Sequence, residues 1–473
     1  MIAHETQIAV IGAGPAGLTA ALAANRLGAQ VTLVDEFPRP GGAIYKQTPL
    51  SFHTKPVQRV SKEQSHAHEL FSQLRNSSVK LLTETLVWGL QNSHTLALYR
   101  EGAGTETLRF QSLIITTGGY DRPIAFPGWT LPGVWTAGGA QTMVKAQQVR
   151  PGQRVLLAGS GPILMPVAKS LIDSGATVVA IAEATTLLQW VSRVRDFLGF
   201  PNRIVEFLNY ESFFLRRHVP SYFGHIMVSA EGDKAVRRAT IVGVDRDWRP
   251  RPGTAKTFEV DLVCTGYGFL SATEIPSLLG CTMRFDPLQG QRIPSHNEEM
   301  ETSIPGVFVA GESAGVGGSD LAQVEGAVAG LVAAQQVGQT LKEADQQLLI
   351  KAQDKRRHLQ KYANILAEMF AMRPGIYELA QPDTFICRCE EVTVGEIMTA
   401  IQRGARNINA LKSWVRVGMG PCQGRVCGAQ IAQLLARHAS VPLEEIVPMT
   451  PRPPIKPIPI GAFAELAENE ILH

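Results

Sequence analysis

No cysteine occurs before Cys264, so thiol or disulfide chemistry has no residues in the first half of the chain. Charge of one sign is equally scarce. A net +3 over 473 residues, without a dense basic run, removes the electrostatic footprint of a nucleic-acid binder. Long hydrophobic runs are missing too. The stretch from Ile8 to Ala24 is uncharged, but Pro15 and three glycines interrupt it, and it does not read as a membrane span. Glu5 precedes it and no basic segment does, which makes it a poor signal peptide. These absences predict a cytoplasmic protein with no nucleic-acid partner and no membrane span. Any membrane association would be peripheral and through a partner.

The uncharged stretch belongs to AVIGAGPAGLTAALAANRLGAQVTLVDE (Ala9 to Glu36). An apolar strand meets Gly12, Gly14 and Gly17, then an alanine-rich helix, then a second strand ending at Asp35 and Glu36. This order predicts a dinucleotide-binding βαβ unit. Gly12 permits the tight turn, Gly14 lets backbone approach a pyrophosphate, and Gly17 lets helix and strand pack closely. Pro15 and Ala16 open a helix whose N-terminus favours phosphate. Asp35 stands about where a ribose hydroxyl needs an acceptor. The loop that follows, with Gly41, Gly42 and Lys46, is expected to lie against the same ligand.

Two later strands break at glycine. LIITTGG ends at Thr117 and Gly118, and the strand before AGESAGVGG delivers Gly311 and Glu312, with Gly318 just ahead of a helix. In two-dinucleotide flavoproteins such strands return the chain to the flavin, so FAD is the expected ligand. Between them, RVLLAGSGPILMPVAKSLIDSGATVVAIAE begins a second unit with two departures. Leu164 takes the third glycine position, and Ala182 aligns with Asp35, leaving Glu183 one residue late. A βαβ fold is expected there without an ordinary NAD(P) site. Aromatics and arginines crowd between Trp190 and Phe223, either packing a helical insert or forming a docking surface.

Cys264 and Cys281 read as core thiols, and the other four of the six cysteines cluster near the C-terminal end. Cys387 and Cys389 form C-x-C, and Cys422 and Cys427 form C-x4-C, among glycines and basic residues. Thiolates suit zinc and iron–sulfur clusters. C-x-x-C knuckles are the commoner zinc pattern, so the expectation is a [2Fe–2S] cluster, with zinc as the alternative. Thr393 and Glu396 predict a capping box in a small all-α domain. The fold class is α/β, a two-dinucleotide-binding-domain flavoprotein of disulfide-reductase-like Rossmann architecture, plus that small iron–sulfur domain. Expected boundaries are 1–125 with 265–345 for a discontinuous FAD-binding domain and 126–264 for the second nucleotide-binding-like domain, with its insert at 187–225. A helical linker (346–373), the cysteine domain (374–450) and a tail (451–473) complete the chain.

The motif order GAGPAG, VDE, PGGAIY, TTGGYDRP, LPGV, TAGGAQ, AGSGP, AGESAGVGG, C-x-C and GPCQGRVC covers essentially the whole chain. It resembles the α (A) subunit of bacterial heteromeric FAD-dependent amino-acid dehydrogenases. That group includes opine oxidase A subunits, hydroxyproline and proline dehydrogenase α subunits, and hydrogen cyanide synthase B subunits. The last domain is similar to bacterioferritin-associated ferredoxin modules. Aspartate is commoner than Glu312 at its position. The resemblance implies an electron-relaying subunit whose β partner, a flavoprotein of the D-amino-acid-oxidase type, oxidises the substrate C–N bond. It also leaves room for a small ferredoxin-like γ subunit, FMN at a subunit interface and an adenine nucleotide in the second domain. No side chain is assigned as a catalytic acid or base. The alternative reading is a stand-alone NAD(P)H-dependent FAD and iron–sulfur reductase.

Overall fold

A computed structural model describes residues 2–49, 52 and 62–471. Ser61, where the sequence pattern begins a helix, lies outside them; the helix itself is described over Lys62–Arg75.

Strand β1 (Ile2–Ile11) leads through the glycine loop into helix α1 (Pro15–Arg26) and strand β2 (Val31–Val34). Ile8 to Ile11 are buried, as expected of a central parallel strand covered on both faces. Gly14 caps α1 in an extended conformation with Pro15 at the first turn. The long strand β3 (Gly104–Ile115) pairs in parallel with β1 from Ile2↔Glu106 to Ile11↔Ile115. Its first half also pairs with the antiparallel strand Thr95–Arg100.

The second unit comprises strand β4 (Arg154–Gly159), helix α2 (Leu164–Asp173) and strand β5 (Thr177–Glu183). A bulge between Val178 and Ala180 shifts the register of β5 against β4. Glu183 therefore sits opposite Gly159. Its carboxylate accepts from Gly161 N (3.1 Å) and Thr185 N (2.9 Å). Ala182 was the expected counterpart of Asp35. The bulge absorbs the extra residue and gives that place to Glu183.

The aromatic insert follows, with helix α3 (Pro201–Arg216). Strand β6 (Leu262–Gly266) completes the parallel core of the second sheet beside β4. Strand β7 (Val307–Val309) then rejoins the first sheet on the last residues of β3. Helix α4 (Ser319–Gln336) is mostly buried between Leu321 and Ala334. Helix α5 (Glu343–Met369) packs on it, tied to α4 by Arg356–Glu325 (3.7 Å) and to α1 by Arg26–Asp345 (2.9 Å).

The cysteine-bearing segment is not all-α. Phe385–Cys387 and Val392–Thr393 form a short antiparallel hairpin. The β-favouring Phe-Ile and Val-Thr pairs explain it. Helices Val394–Gln402, Ile408–Val415 and Gly428–His438 follow, the first with the expected capping box between Thr393 and Glu396. The tail then returns to the first sheet. Ile455 N donates to Trp88 O (2.8 Å), Thr105 N donates to Glu465 (2.9 Å), and Lys456 pairs with Glu36. Among the described residues no helix is long and apolar enough to cross a membrane.

Helices α1 and α4 run parallel at very short range. A Cβ on Gly326 would stand 2.1 Å from Ala16 O, and one on Gly330 would stand 2.2 Å from Ala20 O. Gly326→Val is expected to destabilise the protein by about 1–3 kcal/mol through overpacking. Urea denaturation of the full chain checks this, and an unchanged midpoint would refute so close a crossing.

Candidate cofactor site and cysteine cluster

The glycines of the first loop divide by what surrounds them. Gly12 (φ +99°) and Gly17 are demanded by packing: added Cβ atoms would lie 2.4 Å from Thr116 O and 1.8 Å from Gly12 O. Gly14 is different, since its Cβ would meet only Gly42 Cα, at 3.7 Å. Gly41 N donates to Ala13 O (2.7 Å), and Gly42 (φ +61°) has no room for a side chain against Gly14 Cα. The two glycine loops are thus laced together by backbone.

Asp35 closes this knot. One carboxylate oxygen accepts from Ala13 N (2.5 Å) and the other from Phe37 N (2.8 Å). Burial raises its pKa, and those two N–H donors oppose the rise. Each oxygen keeps a free lone pair. Its neighbour Glu36 is exposed and ion-paired to Lys456. Lys46 folds over the Phe37 ring (3.9 Å), and burial lowers its pKa against the pull of Asp35 and Glu36. Pro15 and Ala16 begin α1, and Ala16 also fits beneath Gly311, whose Cβ would lie 2.9 Å away.

A second cluster forms where β3 and β7 end. Gly118 N donates to Ser313 Oγ (2.9 Å), and Thr117 Oγ1 lies 3.2 Å from the same hydroxyl. Ser313 was not singled out in the sequence, although it follows Glu312 directly. Glu312 reaches across: its Oε2 lies 3.3 Å from where a Gly119 Cβ would be. Burial, with help from Asp121, pushes its carboxyl up to about 7. Glu325 accepts from Gly311 N (2.9 Å) and is likewise raised to about 7, chiefly by burial. Gly118 and Gly318, both at positive φ, have open space where a Cβ would stand.

The helices relate the two clusters. Ala16 faces Gly326 and Ala20 faces Gly330. With a rise of 1.5 Å per residue, the N-terminus of α4 projects about 9 Å beyond that of α1. Two positive helix ends therefore face one elongated space at different depths.

The four C-terminal thiols form two hydrogen-bonded pairs. Cys427 bonds to Cys387 and holds it down to about 5, helped by Gly418 N at 3.5 Å, while Cys427 itself is pushed up. Cys389, raised by burial, pairs with Cys422. Among the described residues, no group of three or more such side chains surrounds a common centre for a metal ion. Two of the basic residues near them in sequence are already paired, Arg416 with Glu390 (3.0 Å) and Arg425 with Glu274 (2.6 Å).

The aromatic insert packs inward. Trp190 lies on Phe207 (4.7 Å), and Phe200 lies on His358 (4.7 Å) and Tyr362 (4.9 Å) of α5. Its exposed apolar residues are aliphatic, Leu188 and Leu215 foremost.

This architecture is that of an FAD-dependent oxidoreductase. Residues 6–338 match the pyridine nucleotide-disulphide oxidoreductase family, and the chain belongs to that family. Residues 381–466 match the sarcosine oxidase A3 domain. The chain is 31% identical to hydrogen cyanide synthase subunit HcnB of Pseudomonas aeruginosa, over 97% of this chain and 98% of that protein. It is 30% identical to the opine oxidase A subunit of Rhizobium meliloti strain 1021, again over 97% and 98%. The crystal structure of L-proline dehydrogenase from P. horikoshii shares the fold, with a TM-score of 0.69 at 19% identity, covering 98% of this chain and 80% of that one. The disulfide of the family name has no counterpart beside the glycine loops. Cys264 and Cys281 are buried, and burial raises the pKa of both thiols.

Glu312 and Glu325 are held at about 7, well above the usual 4.5. Between those values the native state binds protons more tightly than the unfolded chain, so native stability falls as pH rises through that window. Urea midpoints of the FAD-free protein are expected to decline from pH 5 to pH 8, and Glu312→Gln should flatten part of the slope. A midpoint that rises with pH over this range would contradict the assignment.

Proposed function

We propose that this chain is the FAD-carrying, electron-accepting subunit of a heteromeric amino-acid or opine dehydrogenase, relaying electrons through a [2Fe–2S] cluster in its C-terminal unit. The observation that carries the reading is the split among the glycines. Gly12 and Gly17 are glycine because protein crowds them, whereas Gly118 and Gly318 border open space and Gly14 has only the bare backbone of Gly42 beside it, at 3.7 Å from where a Cβ would stand. Backbone kept bare beside an open groove supports an extended ligand lying along it.

The residues fit FAD. Asp35 would accept from the adenosine ribose with its free lone pairs. The N–H groups of Gly14, Ala16 and Gly17 at the start of α1 would meet the pyrophosphate beside Pro15, with Gly41, Gly42 and Lys46 closing over it. Thr117, Gly118, Gly311 and Glu312 would border the ribityl chain, and Gly318 would present the α4 N-terminus to the ring. Glu36, tied to Lys456, would act at the rim. Near neutrality Glu312 can donate as well as accept a hydrogen bond, which suits a hydroxylated chain.

The cysteines fit a two-metal cluster by their chemistry. Cys387, Cys389, Cys422 and Cys427 would hold the two irons, and Gly418 N already bonds to the Cys387 sulfur. Bound FAD would take electrons in pairs and a [2Fe–2S] cluster would pass them singly. The relatives named as subunits of opine oxidase and hydrogen cyanide synthase support a partner that carries out substrate oxidation. A β subunit of the D-amino-acid-oxidase type is the partner proposed, with CH–NH donors as its substrate class and the cytoplasm as its location.

Gly14→Ala is expected to leave the melting temperature of the FAD-free protein unchanged while weakening FAD binding about tenfold or more. Fluorescence titration with FAD measures this, and undiminished affinity would remove FAD from this groove. Replacing Cys422 and Cys427 by serine should abolish iron–sulfur absorption without releasing FAD. Stoichiometric zinc and no iron in the purified chain would overturn the cluster. Co-purified with its partner, the flavin should bleach on addition of an opine, proline or glycine-type donor. Bleaching by that donor in the isolated chain would refute the division of labour.

A further inference from the structure

We propose that the second nucleotide unit is closed to pyridine nucleotides by the chain's own Phe370, so that a flavin in the first domain receives electrons from a partner and not from NAD(P)H. The partner as electron source rests on the proposed function; the closure stands on geometry alone.

The second unit retains the acid of a dinucleotide site. Glu183 lies opposite Gly159 through the β5 bulge. It grips the loop as Asp35 does: one oxygen on Gly161 N, the other on the N–H two residues further along, Thr185. The acid therefore stands where the first unit has Asp35.

The phosphate cradle is not retained. Helix α1 starts one residue after Gly14, whereas α2 starts three residues after Gly161, so its free N–H groups are set back. Leu164, standing where the first unit has Gly17, is buried against the position a Gly266 Cβ would take, 3.0 Å away. Gly161 has a positive φ (+113°) and is the glycine over which a pyrophosphate would lie. In the first unit the neighbour of Gly14 is the bare backbone of Gly42. In the second, the Phe370 ring lies 3.8 Å from where a Gly161 Cβ would be. A phenyl ring offers no donor to phosphate and occupies its space.

Phe370 is held there. It follows the last turn of α5, and its ring meets Trp190 edge-on at 5.7 Å. Trp190 is itself packed against Phe197 (6.2 Å) and Phe207 (4.7 Å). Arg193 pairs with Glu368 (2.8 Å) and fixes the end of α5 beside the insert. The aromatic insert thus has a use: it supports a plug.

The test uses ADP-ribose and NADH with the full FAD-loaded chain. Calorimetry should detect no ADP-ribose binding to the parent protein at millimolar concentration, and NADH should not bleach its flavin. Phe370→Ala, checked for unchanged melting temperature and FAD content, should bind ADP-ribose about tenfold or more tighter than the parent. Phe370→Leu keeps apolar bulk and should stay closed. If Phe370→Ala fails to fold, Trp190→Ala, which unseats the ring, should show the same gain. Micromolar binding by the parent, or a well-folded Phe370→Ala that gains nothing, would overturn the plug. Failure of partner-dependent flavin reduction, with ADP-ribose still excluded, would overturn the proposed function and leave the plug standing.

Discussion

The first domain depends on one close approach: the backbone of α1 at Ala16 and Ala20 against Gly326 and Gly330 of α4. These helices lie far apart in the sequence, and the second nucleotide unit is threaded between them. Their contact makes the discontinuous halves one body. It also sets the offset that puts two helix N-termini along a single groove. Thr19 Oγ1, which donates to Gln323 O (2.8 Å), adds a polar contact across the same approach. A side chain at either glycine would force the helices apart and open the strand ends beneath them.

The two βαβ units show how one plan diverges under local constraint. Both place a carboxylate on loop N–H groups, and both keep the first two glycines. In the first, bare backbone from Gly41 and Gly42 lies beside Gly14. In the second, an aromatic ring lies beside Gly161, supported by an insert the first unit lacks. The family is named for a pyridine nucleotide and a disulphide. In this chain the cysteines near the sheets are core thiols, and the nucleotide loop of the second unit is covered by its own polypeptide.

The C-terminal unit is bound into the body rather than appended to it. Trp129 Nε1 donates to Phe385 O (2.7 Å), Ala125 N donates to Gln430 Oε1 (2.8 Å), and Arg425 pairs with Glu274. These bonds hold the cysteine-bearing unit against the loop between Arg122 and Trp129 and against Glu274.

Much of this was legible in the sequence, because it follows from short-range rules. Gly12-x-Gly14-x-x-Gly17 followed by Asp35 encodes strand, turn and helix through φ values and close packing that tolerate few alternatives. The local signal at Thr393 and Glu396 is likewise clear, since four residues suffice for a capping box. Pairing of the four C-terminal cysteines, the hairpin that carries two of them, and the return of the tail to Trp88 were not legible, since each depends on partners far along the chain. Glu183 is the sharpest case. Read by spacing it falls one residue late, and only the bulge in β5 brings it opposite Gly159. Phe370 carries no motif at all. Its place over Gly161 is set by where α5 ends, which the packing of α5 on α4 and on the aromatic insert decides. The sequence alone determined the folding units and the glycine loops that open the two nucleotide-like ones. Only the tertiary structure decided which of the two grooves stays open, because steric access is a property of distant segments brought together.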